Sequence, residues 1–312
     1  MRSLRTLLRL PATLAGLLLL ASCHSGASTT KTIGVTLLTR QDEFYQRLEA
    51  GLRQAAAAHG YKLIVTSGDF DLAKQQSQID NFIVQHVDAI VICPVDTRGI
   101  GPAIEKANSV KIPVFTADIA AEGGLVVSHI ASDNVAGGQL AARYLAEAIG
   151  EKGEVGIIAE PEVQSTIDRE AGFRSAMKSY PGITVVASLN GEGKRDRSLK
   201  AADDMLQAHP NLRGIFAIND ESALGALSSA QSRHRDSLVI IGYDASPEAQ
   251  KAIAGHTQLR ADVAQQPDVI GEKTIAAIAA NFEGKPPVSR VAVPVRIVDA
   301  DSVRAMAQTT SH

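Results

Sequence analysis

Short apolar runs alternate with helical patterns along the chain after Lys31, and this alternation constrains the fold more than any other feature. Runs such as Ala-Ile-Val-Ile (89–92) and Leu-Val-Ile-Ile (238–241) are apolar at every position, which indicates strands buried on both faces. Strands of that kind belong to parallel sheets whose two faces are covered by helices. The sequence therefore predicts a doubly wound α/β architecture.

The length of the chain points to two such units. About eleven candidate strands occur in 312 residues, which is more than one open sheet accommodates comfortably. The last candidate strand is Arg290–Asp299, and the first candidate helix is Glu43–His59. The predicted apolar face of this helix consists of Phe44, Leu48, Gly51, Leu52 and Ala55.

The N-terminal 22 residues have the pattern of an export signal. Arg2, Arg5 and Arg9 form a positive region, and the apolar stretch Leu10–Ala21 is too short to span a bilayer. We therefore predict that residues 1–22 are removed and that the remaining chain works outside the cytoplasmic membrane, on the periplasmic or cell-surface side.

The segment Leu20-Ala21-Ser22-Cys23 resembles the lipobox of bacterial lipoproteins, in which the cysteine thiol is acylated. We therefore predict lipid attachment at Cys23. The alternative is an ordinary signal peptide cut near Ser22, with Cys23 incidental. Residues 23–30 are mostly small and polar, which predicts a flexible tether between lipid and protein. The lipid would then be the protein's only contact with the membrane.

Charge and motifs exclude several classes of function. The net charge is −3, and removal of Arg2, Arg5 and Arg9 lowers it to −6, so nothing favours nucleic acid as a partner. Only two cysteines, Cys23 and Cys93, are present, too few for a disulfide framework or a cysteine-rich metal site. The sequence lacks a dinucleotide fingerprint, a P-loop, a nucleophile elbow and a His-Glu-x-x-His motif. We therefore predict no enzymatic activity, no cofactor and no metal.

Polar side chains recur at the carboxyl ends of the predicted strands, where open α/β sheets bind their ligands. The four residues in these places are Asp118, Asn219, Asp244 and Gln265. Carboxylates accept hydrogen bonds and amides both donate and accept them, which suits a ligand with neighbouring hydroxyl groups. Asp or Asn after a strand can instead cap the next helix, and we give capping at least equal weight for Asp133 and Asp220.

Three further candidates follow the first strand: Asp42, Phe44 and Tyr45. The face of an aromatic ring suits the C–H face of a sugar. Because Phe44 and Tyr45 are adjacent at a helix start, at most one of them can point fully into the core. The alternative to a binding role is that Phe44 belongs to the core and Tyr45 to the surface.

Several segments resemble the ribose-binding-protein family, which delivers monosaccharides to ABC transporters. The similar stretches are 126–138 (VVSHIASDNVAGG), 208–227 (AHPNLRGIFAINDESALGAL), 239–244 (VIIGYD) and 264–271 (AQQPDVIG), and the similarity runs from about Thr32 to Asp299. The resemblance implies the type I periplasmic-binding-protein fold, with two Rossmann-like lobes, parallel sheets and a three-segment hinge. Lobe 1 would be 31–132 plus 266–291, and lobe 2 would be 133–265 plus 292–312.

The resemblance also assigns ligand-contacting positions. They are Asp42, Phe44, Tyr45, Asp118, Asn219, Asp244 and Gln265. At other contact positions the chain departs from the family: Cys93 stands where the family has Asn, and Ile119 where it has Arg. A second family Arg falls at or near Ile167, with Arg169 close by, and an aromatic is lost near Gly193. We include Cys93, Ile119 and Arg169 among the candidate site residues.

These departures affect the predicted ligand. Each hydrogen bond to a charged group is worth roughly 1.5–3 kcal/mol, so loss of two guanidinium groups weakens a ribose site. The sequence therefore predicts a different sugar, a deoxysugar, a polyol or another small molecule with an apolar part.

The predicted function is that of a monomeric solute-binding lipoprotein. It captures a monosaccharide or related polyhydroxylated ligand by hinge closure and delivers it to an ABC permease in the membrane. The alternative is a sensor lipoprotein that presents the ligand-bound form to a membrane receptor or kinase. A transcription regulator of the same core fold would need a DNA-binding motif before Lys31, where the export signal stands instead.

Overall fold

The computed structural model describes residues 30–309, which form two α/β lobes as predicted. The predicted export signal (1–22), the predicted lipid-attachment residue Cys23 and all but the last residue of the predicted tether (23–30) lie outside the described residues. No helix within residues 30–309 combines the length and apolarity needed to cross a bilayer.

The first sheet contains six parallel strands. They are β1 (Thr32–Leu37), β2 (Lys62–Ser67), β3 (Ala89–Ile92), β4 (Val114–Ala117), β5 (Val126–Ser132) and β11 (Arg290–Val293). Their spatial order is β11-β5-β4-β3-β1-β2. The helices of this lobe are α1 (Glu43–Ala58), α2 (Leu72–Val84), α3 (Gly101–Ser109) and α9 (Pro267–Phe282).

The second sheet also has six strands. They are β6 (Gly153–Ala159), β7 (Ile183–Asn190), β8 (Leu212–Ala217), β9 (Val239–Asp244), β10 (Leu259–Ala264) and β12 (Arg296–Asp299). Their order is β12-β10-β9-β8-β6-β7, and β12 alone runs antiparallel to its neighbour. The helices here are α4 (Asn134–Ala148), α5 (Gln164–Met177), α6 (Arg195–Ala208), α7 (Asp220–Ser232), α8 (Pro247–Ala254) and α10 (Ala300–Thr309).

Both faces of each sheet are buried, which accounts for the continuous apolar runs. In β3, Ala89 and Val91 pack in a cluster with residues of α1 and α9. The alternate residues Ile90 and Ile92 pack on the other face, in a cluster with residues of α2 and α3. Because successive strand residues point to opposite faces, a strand covered on both sides needs apolar residues at every position.

Within residues 30–309 the chain passes between the two lobes three times. The passages lie between β5 and α4, between β10 and α9, and between β11 and β12. All three lie near the places that the family resemblance implies for a hinge. The residue borders of the lobes and the hinge role itself stay predictions.

The predicted last strand, Arg290–Asp299, is two strands. Val293 pairs with Ser132 in the first sheet, whereas Arg296 pairs with Ala264 in the second. Pro294 lies between them and has no backbone N–H to donate to a ladder. The prediction of one strand was wrong because local pattern cannot reveal that an extended segment changes sheets.

The buried face of α1 also differs from the prediction. Its buried residues are Tyr45, Leu48, Gly51, Leu52 and Ala56, so Phe44 and Ala55 are only partly buried. Contact with α9 sets this rotation: a Cβ at Gly51 would lie 2.3 Å from the Asp268 carbonyl oxygen, and one at Gly271 would lie 2.6 Å from the Leu52 nitrogen. The two helix backbones therefore meet at glycines, and this contact turns Tyr45 inward.

Candidate functional site

A cleft lies between the carboxyl ends of the two sheets and is lined by residues of both lobes. It encloses about 410 Å³ of space, part of it open to solvent. Nine of the candidate residues line it: Asp42, Phe44, Tyr45, Asp118, Ile119, Arg169, Asn219, Asp244 and Gln265.

Asp118 is a carboxylate that the first lobe contributes to the cleft. It directly follows β4 and is only 4% exposed. The Tyr45 hydroxyl donates a 2.7 Å hydrogen bond to Oδ2, and Oδ1 finds no partner within residues 30–309. Burial raises the pKa of Asp118, against the opposing effects of the Arg169 charge and the Tyr45 hydrogen bond.

Asp244, the last residue of β9, is a carboxylate that the second lobe contributes to the cleft. Its Oδ1 accepts a 2.6 Å hydrogen bond from Gln265 Nε2 and lies 3.8 Å from Nη1 of Arg169. Burial raises the pKa of Asp244 well above its usual range, although the Arg169 charge opposes the rise. Gln265 keeps its Oε1 without a partner among the described residues, so this amide oxygen is available to a donor.

Both carboxylates emerge from strained backbone. Asp118 has a φ of 64°, and Asp244 has a φ of 113°. Positive φ is uncommon for residues other than glycine and costs free energy that the surrounding structure must offset. Such strain clusters at functional sites, and here it aims one carboxylate of each lobe into the same cleft.

Arg169 lines the cleft, is 4% exposed and is held by several contacts. Its guanidinium lies 3.8 Å from the centre of the Tyr243 ring. It donates from Nε to Asn134 Oδ1 at 2.8 Å and from Nη1 to the Ile218 carbonyl at 2.7 Å. Close contact of α4 and α5 fixes the helix that carries it, since a Cβ at Gly138 would lie 1.9 Å from the Arg169 carbonyl oxygen.

The two positions with isoleucine in place of a family arginine differ in their surroundings. Ile119 lines the cleft and is almost fully buried, so this wall is apolar. Ile167 is outside the lining. Among the residues that the structure describes, Arg169 is the single basic side chain in the lining.

Asn219 combines two roles. It is the N-cap of α7, where its Oδ1 accepts from Ser222 N at 2.9 Å, and it also lines the cleft. Its Nδ2 donates to the Gly193 carbonyl at 3.1 Å. Asp133 caps α4 through Ala136 N.

Asp220 is not a helix cap, contrary to the capping alternative. It is the first residue of α7, is buried, and accepts a 2.6 Å hydrogen bond from Ser246 N through Oδ2. It therefore ties the start of α7 to the loop after β9 and lies outside the cleft lining.

The aromatic pair reverses the alternative considered from sequence. Tyr45 is buried and Phe44 is half-buried, yet both line the cleft. Their rings meet edge to face with centroids 5.1 Å apart. Part of the Phe44 ring is therefore exposed and available to a ligand, whereas the Tyr45 hydroxyl donates its hydrogen bond to Asp118.

Cys93 is the one candidate in the described chain that lies outside the lining. It is fully buried, and its carbonyl accepts from Gln75 Nε2 at 2.9 Å. Burial raises the pKa of its thiol well above the usual range, which keeps it protonated. Contact between Cys93 and a ligand stays a prediction.

Six lining residues were missed by sequence reasoning. They are Leu38, Phe70, Glu160, Val163, Ser165 and Thr166. The clearest omission is Glu160, which directly follows β6 and so satisfies the strand-end rule applied to the other candidates. The apolar and hydroxyl members carry no comparable signal, because such residues are common in cores and helix starts.

Glu160 is 7% exposed, and burial together with nearby Glu162 raises its pKa to about 7. Asp42, at the opposite wall, has a pKa raised to about 6 by burial and by Glu221. The cleft therefore carries four carboxyl groups whose ionised forms are disfavoured.

The lobes also touch beside the cleft. Thr97 of the first lobe donates from its backbone N to the Glu162 carbonyl at 3.0 Å and accepts at Oγ1 from Gln164 N at 2.9 Å. Val163 is buried against the apolar cluster of the first lobe. These contacts join the start of α5 to the opposite lobe.

Comparison with known proteins gives consistent results. Residues 33–286 match the model of the periplasmic binding protein domain. The ribose import binding protein of Bacillus subtilis (strain 168) is 35% identical over 275 residues, covering 88% of this chain and 89% of that protein. The xylitol-binding protein of Mycolicibacterium smegmatis is 30% identical over 240 residues, covering 75% and 68%.

Among solved structures, an ABC transporter solute binding protein from Agrobacterium vitis, bound with α-D-tagatopyranose, superposes with a TM-score of 0.86. It is 28% identical, and the match covers 90% of this chain and 98% of that one. The resemblance seen in the sequence is thus confirmed, and this chain belongs to the family of periplasmic binding proteins, with the type I fold.

Proposed function

We propose that this protein binds a monosaccharide or a small polyol in its cleft and delivers it, chemically unchanged, to an ABC importer. One observation carries the proposal: Asp118 and Asp244, from different lobes, line one shared cleft. Hydroxyl groups of a ligand can donate to both carboxylates at once. The names of the relatives, which refer to ribose import, xylitol and bound tagatose, support this ligand class.

The proposed mechanism is closure of the two lobes around the ligand. A ligand that contacts Asp118 and Asp244 together does so only when the lobes are close, so it stabilises the closed state. Bending about the three passages between the lobes would supply the motion. The contacts of Thr97 with the start of α5 would then belong to the closed form.

The first test is a thermal-shift screen with pentoses, hexoses, deoxysugars and polyols, followed by calorimetry on any ligand that stabilises. A ligand at about 100 times its Kd stabilises by about 2.7 kcal/mol, which the screen detects. Asp244→Ala is expected to abolish binding while the protein stays folded. Asp204→Ala, which removes an exposed carboxylate paired with Lys200, is the matched control and should bind normally.

Unchanged affinity in Asp244→Ala would remove Asp244 from the site. Small-angle scattering with the same ligand should show compaction on binding. Identical profiles with and without ligand would contradict closure of the lobes.

We also propose that the mature protein is a monomer anchored by acylation at Cys23, the tether giving the lobes reach beside the permease. The family implies export to the periplasm. Cys23→Ser is expected to move the protein from the membrane fraction to the soluble fraction. Persistent membrane association of this variant would contradict lipidation.

Uptake of the labelled ligand by cells that lack the protein tests the transport role. Loss of uptake is expected. Normal uptake, with loss of a transcriptional response to the ligand instead, would favour the sensor alternative.

A further inference from the structure

The cleft holds more carboxyl groups than its one cation can compensate. Its charged lining residues are Asp42, Asp118, Glu160, Arg169 and Asp244. When all four acids are ionised, one guanidinium leaves three negative charges uncompensated. That guanidinium already donates to Asn134 and to the Ile218 carbonyl, so it is committed to protein groups.

Two fully buried acceptors in the cleft, Oδ1 of Asp118 and Oε1 of Gln265, have no hydrogen-bond partner in residues 30–309. The Glu160 carboxylate also takes no hydrogen bond from these residues, but its oxygens are not among the fully buried atoms. Buried polar groups are ordinarily hydrogen-bonded, so these acceptors point to a donor that the ligand brings.

The space for Glu160 is made by its neighbour Gly193. A Cβ at position 193 would lie 2.8 Å from Glu160 Oε2 and 3.0 Å from Oε1. Any larger residue there would push the carboxylate away. Glycine thus lets this carboxylate occupy the wall of the cleft.

Closure of the lobes places like charges against each other. Glu160 belongs to the second lobe, and the charges of Asp42 and Asp118 in the first lobe disfavour its ionisation. In a site with little water this repulsion opposes closure. A positively charged group of the ligand between these carboxylates would attract both lobes and so stabilise the closed state.

One groove next to the cleft is also acidic, whereas a second groove, which shares Asp42 and Phe70 with the cleft, contains Lys194 and Arg195. The acidic groove shares Asp42 and Asp244 with the cleft and is lined by carboxylates and by no basic side chain of residues 30–309. Its additional carboxylates are Glu43, Asp220, Glu221 and Glu248. Arg195 pairs with Glu221 and Glu248 and so offsets part of this charge. The remainder attracts cations and repels anions.

We propose that the natural ligand is a polyhydroxylated molecule with a protonated amine, such as an amino sugar or an amino polyol, and that Glu160 and Asp118 receive the ammonium group. This inference rests on the proposed function and narrows its ligand class. Phe44, Asn219 and Gln265 then contact the remainder of the ligand.

The test compares amines with their neutral counterparts on the purified mature chain by calorimetry. Suitable pairs are D-glucosamine with D-glucose, D-galactosamine with D-galactose, and 1-amino-1-deoxy-D-sorbitol with sorbitol. At least one amine is expected to bind ten-fold or more tightly than its counterpart. N-acetyl-D-glucosamine, which has no positive charge, should lose the advantage of D-glucosamine.

Glu160→Gln keeps the size of the side chain and removes its charge. This variant should lose ten-fold or more in affinity for the amine and little for the neutral partner. Glu162→Gln is the matched control, because Glu162 is exposed and its side chain accepts from Asn190 outside the cleft lining. It should change the affinity less than three-fold.

The pH dependence gives a second readout. Amine affinity of the unmodified protein should fall as the pH is lowered through about 7, because Glu160 then becomes protonated. The charged groups that face Glu160 are Asp42, Asp118, Glu162 and Arg169. In Glu160→Gln the fall near pH 7 should be reduced.

The outcomes separate the two proposals. Equal or tighter binding of the neutral members overturns the amine inference and leaves the sugar-binding function standing. Binding of an amine that Glu160→Gln does not weaken also overturns it. Failure of every amine overturns the inference, and failure of the neutral sugars and polyols as well removes the proposed function with it.

Discussion

Asp118 and Asp244 occupy matching places in the two lobes, because each lies at the carboxyl end of an interior strand and has a positive φ. Their surroundings differ. Asp118 accepts from one hydroxyl and keeps an oxygen free, whereas Asp244 lies between the Gln265 amide and the Arg169 guanidinium. The first lobe thus offers an open acceptor, and the second offers an acceptor whose orientation is already fixed by its partners.

The difference shows that one strand-end position can serve two purposes. In the second lobe a buried cation reduces the cost of burying the carboxylate, so Asp244 is structural as well as available to ligand. The Arg169 charge offsets the burial of Asp118 in part as well, but Oδ1 of Asp118 has no hydrogen-bond partner in residues 30–309, so a ligand that donates to it satisfies a buried acceptor.

The largest expected effect comes from removing the buried cation of the second lobe. Arg169→Met keeps the length of the side chain but leaves Asp244, Asn134 and the Ile218 carbonyl without their partner. We expect a loss of about 3–5 kcal/mol in the free energy of unfolding, measured by urea denaturation. Arg174→Met, on the same helix, removes an exposed pair with Glu170 and should cost less than about 1 kcal/mol.

Equal losses in the two arginine variants would break the comparison. They would mean that the second lobe does not depend on a buried cation to hold Asp244.

A smaller effect is expected from removing the Tyr45 hydroxyl, which donates to Asp118 in the first lobe. Tyr45→Phe removes the only hydrogen bond to the Asp118 carboxylate from the described residues. Leaving a buried acceptor unsatisfied costs about 1–3 kcal/mol, measured by urea denaturation at pH 8. Tyr61→Phe, whose hydroxyl has no hydrogen-bond partner in residues 30–309 and is only partly buried, should change stability by less than about 0.5 kcal/mol.

The pH dependence of Tyr45→Phe sharpens this prediction. The loss of stability in Tyr45→Phe should shrink as the pH is lowered, because protonation of Asp118 removes the unsatisfied charge. A loss that does not change with pH would contradict this role of the Asp118 charge.

The smallest effect concerns the charge of Asp118 in the ligand-free protein. Because its pKa is raised on folding, the folded chain holds this proton to higher pH than the unfolded chain, and stability falls as pH rises past the unfolded pKa. Asp118→Asn removes this fall in stability with rising pH, and asparagine adopts positive φ more readily than most other residues. We expect a gain in the free energy of unfolding at pH 8 that vanishes toward pH 4, measured by denaturation across the pH range.

A destabilised Asp118→Asn at pH 8 would mean that the Asp118 charge is favourable in the empty cleft. The contrast between an open and a compensated carboxylate would then be wrong.

Much of the site could be predicted because strand ends are visible in a sequence. Asp118, Asn219, Asp244 and Gln265 each follow an apolar run, and parallel strands bring such ends together. Glu160 follows the same rule only once the end of β6 is known to be Ala159, since a strand predicted to continue through Pro161 places Glu160 inside it. Residues at helix starts, such as Val163 and Thr166, could not be predicted, because nothing local distinguishes a cleft wall from an ordinary helix start.

The sequence alone determined the architecture, because burial on both faces of a parallel strand requires apolar residues at every position, and that pattern is local. It also determined which polar residues stand at the strand ends. Only the tertiary structure decided how the carboxylates are compensated, since the contacts of Asp118 with Tyr45 and of Asp244 with Arg169 join residues 73 and 75 positions apart. Hydrogen bonds and charges act over a few ångströms in space, and only the packing of helices and sheets sets those distances.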